Sequence, residues 1–256
     1  MTSSLRFIAA ACAALLAIAA PQIVRAEDFT AAQKSDIERV VHDYLIAHPE
    51  VIQDAMAELE RRQTAAEAEK HKIAVKEHAE KLFSSPNQVT LGNPNGNVTF
   101  VEFFDYNCGY CKRAMDDMLT LMKDDPKLKV VLKEFPVLGP GSLEAARVAV
   151  AVRMQDKSGK KYLEFHTKLL GGRGPADEAH ALAVAKDIGL DMTRLQKDMK
   201  SPEVKATLDE DFKLAEALGL NGTPSYVIGS DVVVGAIGLP ALQAKVNAAR
   251  CGKQSC

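Results

Sequence analysis

The sequence predicts an α/β fold in which a mixed sheet is interrupted by helices and preceded by a long helical segment. Two observations carry this prediction. A Cys-Gly-Tyr-Cys motif at residues 108–111 directly follows an apolar run at 98–104, which is typical of a strand that turns into a helix. After residue 87 the pattern reads β-β-α-β, then about eighty helical residues, then β-β-α. This order predicts a thioredoxin fold with an all-helical insertion at about residues 140–219.

The first 26 residues are predicted to be a cleaved export signal. Arg6 precedes the apolar run at residues 7–20, which is too short to span a bilayer comfortably. Val24 and Ala26 occupy positions −3 and −1 of a cleavage site after Ala26; an uncleaved anchor is the alternative. Removing Arg6 and Arg25, with no acidic residue, moves the formal charge from −2 to −4. A mildly acidic chain lacks the basic excess of nucleic-acid-binding proteins.

Residues 27–84 predict a helical oligomerisation segment and linker. The first helix begins near Thr30 or Ser35 and ends before Pro49, because a residue that precedes proline avoids the helical conformation. A second helix is expected from Glu50 towards Lys81. Apolar residues recur at helical spacing in the first helix and every seven residues in the second: Ile37, Val40, Val41, Tyr44, Leu45, then Ile52, Leu59, Ala66 and Ile73.

Such a thin apolar stripe buries little surface within a single chain. We therefore expect copies of the same helix to be its partners. A solvated helix that holds the catalytic domain at a distance is the alternative.

Residues 85–256 are predicted to form the thioredoxin-fold domain. A tight turn at 92–97 joins the first two strands. Strands are expected at 88–91, 98–104, 129–134, 225–229 and 232–237. Helices are expected at 108–123, 142–154, 160–170, 177–188, 191–199, 202–218 and 239–249.

The Cys-Gly-Tyr-Cys motif predicts a redox-active dithiol. Cys108 is the expected nucleophile, because amides at a helix N-terminus stabilise a thiolate. Cys111 lies one turn further and is expected to resolve a mixed disulfide. Gly109 and Tyr110 are expected to contact substrate and to tune the redox potential. Half of a zinc site is the alternative, but two further ligands at suitable spacing do not lie nearby in the sequence.

Two features elsewhere are expected to complete this site. Thr223-Pro224 immediately precedes a predicted strand, where a cis proline would pack against the cysteines and the Thr223 backbone would pair with substrate. Glu102 interrupts an apolar strand. Burying a carboxylate there costs free energy of folding, so the residue is expected to have a partner or a function. We expect it to exchange a proton with Cys111, with Lys133 as its charge partner. An acid facing the edge of the sheet is the alternative.

The remaining cysteines and the histidines predict no metal site. Export would place Cys251 and Cys256 in an oxidising compartment, where their spacing predicts a structural disulfide. A second redox or metal-binding pair is the alternative. The six histidines show no metal-ligand spacing and are expected on the surface: residues 42, 48, 71, 78, 166 and 180.

Three motifs together resemble the DsbA-like periplasmic thiol-disulfide oxidoreductases. They are Glu102-Phe-Phe-Asp-Tyr-x-Cys-x-x-Cys111, Lys133-Glu-Phe-Pro136 and Gly222-Thr-Pro224. The segment 44–52 is similar to the ScsC-like (suppressor of copper sensitivity C) branch. The resemblance implies Cys108 as nucleophile, Cys111 as resolving cysteine and Pro224 as cis proline. It also implies a homotrimer that acts as a disulfide isomerase or reductant and is kept reduced by a membrane partner of the ScsB type.

The function predicted from the sequence is therefore periplasmic disulfide isomerisation or reduction on misfolded or oxidised proteins. The Cys108–Cys111 disulfide would serve in place of a cofactor. Several sites held together favour isomerisation, because a misfolded client can be engaged repeatedly. A DsbA-like dithiol oxidase is one alternative. A copper-tolerance protein that binds Cu(I) through the two thiolates is another.

Overall fold

A computed structural model describes residues 29–256. The predicted export signal lies outside these residues. The described residues divide into two compact units, one that ends at Glu60 and one that spans Arg61–Cys256. Within the described part of the chain, no helix has the length and apolar character needed to cross a membrane.

The first unit contains helix α1, Ala31–Ala47, and the start of helix α2, Glu50–Glu77. Of the two residues predicted to begin α1, Thr30 is the N-cap. Its hydroxyl accepts a hydrogen bond from the Gln33 amide at 3.3 Å, and its own amide donates to the Gln33 side chain at 2.9 Å. This reciprocal arrangement satisfies two amides that the helix leaves without partners.

The second predicted helix is shorter than expected. It ends at Glu77, and a separate short helix, α3, spans Ala79–Phe83. Val75 and Leu82, on either side of this break, are both buried in one apolar cluster. The interruption therefore lies where the chain packs into the core of the second unit.

The sheet has five strands in the order β1-β3-β2-β4-β5. Strands β2 and β3 are parallel, and the other neighbours are antiparallel. Strand β5 ends at Val234 instead of continuing to Ile237, because Gly235 has a positive φ of 92° and its amide bonds to the Pro224 carbonyl. The strands are β1 Val89–Gly92, β2 Val98–Phe104, β3 Leu128–Glu134, β4 Ser225–Ile228 and β5 Asp231–Val234.

Helix α4 follows β2, and five helices separate β3 from β4. The helices are α4 Gly109–Asp124, α5 Pro140–Gln155, α6 Lys160–Leu170, α7 Glu178–Asp187, α8 Met192–Asp198, α9 Pro202–Ala217 and α10 Leu239–Cys251. The predicted α/β class and the all-helical insertion are confirmed.

The turn between β1 and β2 requires glycine. A Cβ on Gly96 would lie 2.6 Å from the Lys127 carbonyl oxygen and from the Lys129 amide nitrogen. The turn approaches the backbone at Lys127 this closely because the Asn97 amide donates a hydrogen bond to the same Lys127 carbonyl at 3.0 Å.

The two faces of the sheet belong to two different clusters. Phe100 and Phe104 of β2 pack with α4 and the helical insertion, whereas Val101 and Phe103 pack with α9 and the end of α2. Successive side chains of a strand point to opposite faces. Glu102 therefore shares the face of α4.

His166 does not lie on the surface as expected. It sits on the buried face of α6, with its ring 4.6 Å from that of Phe104. Burial lowers the pKa of His166 to about 3, so the imidazole is neutral at physiological pH. The prediction failed because two of the aromatic residues that pack on His166, Phe104 and Tyr106, lie about sixty residues away in the sequence.

Candidate active site

Cys108 caps the N-terminus of α4. Its sulfur accepts a hydrogen bond from the Cys111 amide at 3.3 Å, and its thiol donates to the Thr223 carbonyl oxygen at 3.1 Å. Cys108 is 5% exposed and Cys111 is fully buried, and both are free thiols in this structure. Cys108 is thus the sulfur that a substrate can reach first.

The loop before β4 lies against this thiol. The Thr223–Pro224 peptide bond is cis, and Pro224 is buried. Ser225 begins β4 and donates from its hydroxyl to the Gly222 carbonyl at 2.7 Å, which closes the loop on itself. Thr223 and Cys108 are thereby brought together although 115 residues separate them.

Glu102 is buried on the face of the sheet that carries α4. Burial, and then the charge of Asp117, raise the pKa of this carboxyl to about 8. Burial also raises the pKa of the Cys111 thiol, and the charges of Glu102 and Cys108 raise it further. Both groups are mostly protonated at neutral pH. The ionised form of Glu102, whose share grows as the pH rises towards 8, is suited to accept the proton that Cys111 must lose.

The prediction that Lys133 pairs with Glu102 was wrong. The Lys133 ammonium lies 3.3 Å from Asp211 and 3.6 Å from Glu210, and donates to the Lys81 carbonyl at 2.9 Å. In the parallel register Lys133 is opposite Phe103, one residue beyond Glu102. It therefore projects from the other face of the sheet.

The two residues between the cysteines face outward. A Cβ on Gly109 would meet no atom within 4 Å, and Tyr110 is 60% exposed. The guanidinium carbon of Arg113 lies 4.5 Å from the centre of the Tyr110 ring, a cation–π distance. Both residues are open to contact by a substrate.

Asp105 is a buried residue that the sequence did not single out. Its carboxylate accepts hydrogen bonds from the amides of Val137 and Leu138 at 2.8 and 2.9 Å, from the Asn107 amide at 2.7 Å and from the Ser142 hydroxyl at 2.8 Å. These bonds tie the loop before Cys108 to the start of the helical insertion. An acidic residue directly after an apolar strand was the signal that could have identified it.

Cys251 and Cys256 form a disulfide with a Cα–Cα distance of 6.3 Å. Arg250 beside it contacts Asp125, the C-cap of α4, at 2.5 Å. Cys108 caps the other end of this helix, about 24 Å away at the usual helical rise. The Cys251–Cys256 disulfide is therefore remote from the dithiol. No cluster of three or more potential metal ligands occurs within residues 29–256.

A dithiol at a helix N-terminus beside a cis-proline loop, in a thioredoxin fold, defines a thiol-disulfide oxidoreductase. The chain belongs to the family described as DSBA-like thioredoxin domain, which matches residues 99–247. A second family, described as Copper resistance protein ScsC N-terminal domain, matches residues 33–66.

Solved structures agree with this assignment. A thioredoxin-like oxidoreductase from Silicibacter pomeroyi is 47% identical, with a TM-score of 0.64, over 67% of this chain and 96% of that one. The thiol-disulfide exchange protein alpha-DsbA2 of Wolbachia pipientis is 32% identical, with a TM-score of 0.66, over 71% and 97%. ScsC of Proteus mirabilis is 25% identical, with a TM-score of 0.64, over 88% and 98%.

Curated relatives include much longer proteins. The Na(+)/H(+) antiporter NhaA 1 of Salinispora arenicola is 27% identical over 157 residues, which are 60% of this chain and 24% of that protein. The chain spans about a quarter of the length of such relatives.

Proposed function

We propose that the protein is an oligomeric periplasmic disulfide isomerase and reductase that acts through Cys108 and Cys111. One observation carries the oligomeric part: the apolar side chains of α1 and early α2 are exposed to solvent. They are Ile37, Val40, Val41, Tyr44, Ile46, Ile52, Met56 and Leu59, each between 45% and 71% exposed. Exposed apolar surface of this extent is typical of an interface.

Copies of the same segment are the partner that best fits this surface. The apolar residues recur at helical spacing, as expected for helices that associate in a bundle. The match of residues 33–66 to the ScsC N-terminal family covers the same stretch. We propose a homotrimer, as the ScsC resemblance implies.

The chemistry begins at Cys108. Its thiolate attacks a client disulfide, one client sulfur leaves with the electron pair, and a mixed disulfide forms. Cys111 then gives up its proton to Glu102 and attacks the Cys108 sulfur, which releases the second client thiol. The Thr223 backbone, Gly109 and Tyr110 would hold the client segment beside the sulfur.

Several such sites on one oligomer favour isomerisation over net oxidation. A client held by one mixed disulfide meets the neighbouring sites at a high effective concentration. We propose misfolded or wrongly oxidised periplasmic proteins as clients. A membrane reductase of the ScsB type would keep the dithiol reduced.

Truncation tests the link between assembly and isomerisation. Removing Glu27–Glu60 leaves Val75 in its buried cluster, whereas a deletion that extends to Lys81 would remove it. We expect light scattering to give a trimer for the mature chain and a monomer after truncation. The truncated protein should keep reductase activity on insulin and lose reactivation of scrambled ribonuclease.

A point variant provides a matched comparison. Val41→Glu adds a charge to the apolar side of α1, whereas His42→Glu adds the same charge at the next position, which points elsewhere. Only Val41→Glu should dissociate the oligomer. A mature chain that is already monomeric would overturn the oligomeric proposal. Rapid oxidation of reduced ribonuclease without reactivation of the scrambled form would favour a dithiol oxidase instead.

A further inference from the structure

Tyr226 carries a buried hydroxyl with an unusual environment. The residue is 1% exposed, and within residues 29–256 no group forms a hydrogen bond with its phenol oxygen. Buried tyrosine hydroxyls usually have a partner, because an unpaired polar group loses the bonds it makes to water. The exception calls for an explanation.

The register of the sheet places Tyr226 beside the proposed proton carrier. Tyr226 of β4 is directly opposite Glu102 of β2 in the antiparallel pair. Residues paired in this way project from the same face, with Cβ atoms about 4.5–5.5 Å apart. The Tyr226 ring packs on Phe100, 5.2 Å between ring centres, two residues from Glu102 on that face.

The phenol keeps its proton at this position. Burial raises the pKa of Tyr226, and the charges of Glu102, Cys111, Asp117 and Cys108 raise it further. A neutral hydroxyl that faces a carboxyl can donate a hydrogen bond to the ionised form.

We propose that Tyr226 is a positioning residue for thiol-disulfide exchange. Its hydroxyl binds a water molecule that bridges to the Glu102 carboxyl and stabilises the carboxylate in the orientation that faces Cys111. The inference rests on the proton-transfer role proposed for Glu102.

The water bridge between Tyr226 and Glu102 acts in the second half of the reaction. In the mixed disulfide, the Cys111 proton passes to the Glu102 carboxylate, and the Cys111 thiolate attacks the Cys108 sulfur. The Cys108–Cys111 bond forms, the bond from Cys108 to the client sulfur breaks, and the client leaves as a thiolate with the electron pair. The proton on Glu102 then passes to solvent, so that the enzyme is oxidised and the client reduced.

The groups around Glu102 determine in which direction its pKa should change when the Tyr226 hydroxyl is removed. Asp117 and Cys111 interact with Glu102 from α4, and Tyr226 faces it from β4. On β3 its neighbour in the register is Leu132, which carries no charge. The negative charge of Asp117 opposes ionisation, whereas the Tyr226 hydroxyl favours it. Removing the hydroxyl should therefore raise the pH at which Glu102 can accept a proton.

A disulfide probe that releases a coloured thiol separates the two halves of the reaction. The reduced mature protein is mixed with 5,5′-dithiobis(2-nitrobenzoate), from which Cys108 releases the first nitrothiophenolate and Cys111 the second. The rate of each phase is followed from pH 5 to 10. For Tyr226→Phe we expect the midpoint of the second phase to rise by about one pH unit, so that the rate below the midpoint falls about tenfold. The first phase should not change.

Two further variants make the result specific. Tyr162→Phe is the matched control, because it removes another fully buried tyrosine hydroxyl, one that donates to Glu134 at 2.6 Å. It should leave the second phase unchanged. Glu102→Gln should abolish the midpoint in the pH dependence of the second phase. Combining it with Tyr226→Phe should slow the second phase no further.

The outcomes distinguish the two proposals. An unchanged second phase in Glu102→Gln would overturn the role of Glu102 itself. If Glu102→Gln changes the profile and Tyr226→Phe does not, only the role of Tyr226 fails. A crystal structure of the unmodified protein provides a test that needs no variant. Absence of an ordered water within hydrogen-bond distance of both the phenol oxygen and the Glu102 carboxyl would overturn the inference.

Discussion

Replacing Glu102 with glutamine should change the stability of the protein in a pH-dependent way. The pKa of Glu102 is about 8 in the folded protein and 4.5 in the reference state. The folded state therefore holds the proton more tightly than the unfolded state does. This contribution to stability is complete below pH 4.5 and is lost as the pH rises towards 8.

The magnitude follows from the width of this window. Between pH 4.5 and 8, about 3.5 pH units, each unit of proton linkage corresponds to about 1.36 kcal/mol. As the pH rises through this window, the free energy of unfolding of the wild-type protein should fall by about 3–5 kcal/mol relative to that of a variant that cannot ionise at this position. Glu102→Gln also buries an amide at a cost that does not vary with pH, so this cost cancels when two pH values are compared.

Urea unfolding of the reduced protein at pH 5 and pH 9 measures the effect. The free-energy difference between Glu102→Gln and wild type should move in favour of the variant by about 3–5 kcal/mol between these values. Asp211, whose pKa burial raises to about 7, is present in both proteins, and its contribution cancels. Glu102→Leu is the second variant, and it should show the same pH dependence with a different constant offset.

A difference between variant and wild type that is equal at pH 5 and pH 9 would refute the reasoning. It would mean that Glu102 is ionised throughout this range and is stabilised by a partner. The assignment of Glu102 as a proton carrier with a raised pKa would then fail.

Two further predictions concern the buried ion cluster and the cysteines. Lys133→Met should destabilise the protein by about 3–5 kcal/mol in urea unfolding at pH 8, because it leaves Asp211 and Glu210 without their cation. The loss should be smaller at pH 5, where Asp211 is protonated, and an equal loss at both values would contradict this account. Cys111→Ser should accumulate a mixed disulfide with a client peptide on non-reducing gels, whereas Cys108→Ser should form none. Equal trapping by both variants would show that Cys108 is not the entry point.

Local chemistry made much of the catalytic domain predictable. The apolar run of β2, the cysteine at the start of α4 and the proline before β4 are each recognisable over fewer than ten residues. Predicted boundaries deviated mainly where a helix or strand ended. The end of α2 at Glu77 and of β5 at Val234 depend on packing and on a hydrogen bond to a distant loop.

The errors at the site share one cause. Lys133 was expected beside Glu102, because both lie on neighbouring strands. One step of register places them on opposite faces. The role of Asp105 was equally hidden, since its partners Val137, Leu138 and Ser142 lie more than thirty residues away.

The sequence by itself determined the class of chemistry: a dithiol at a helix start, a proline positioned to contact it and an acid on the preceding strand. Only the tertiary structure decided what surrounds that acid. Tyr226 meets Glu102 across two antiparallel strands whose residues are more than a hundred positions apart, and Asp117 approaches from α4. Local propensity acts over a few residues, whereas the pKa of a buried group depends on every charge and dipole packed around it.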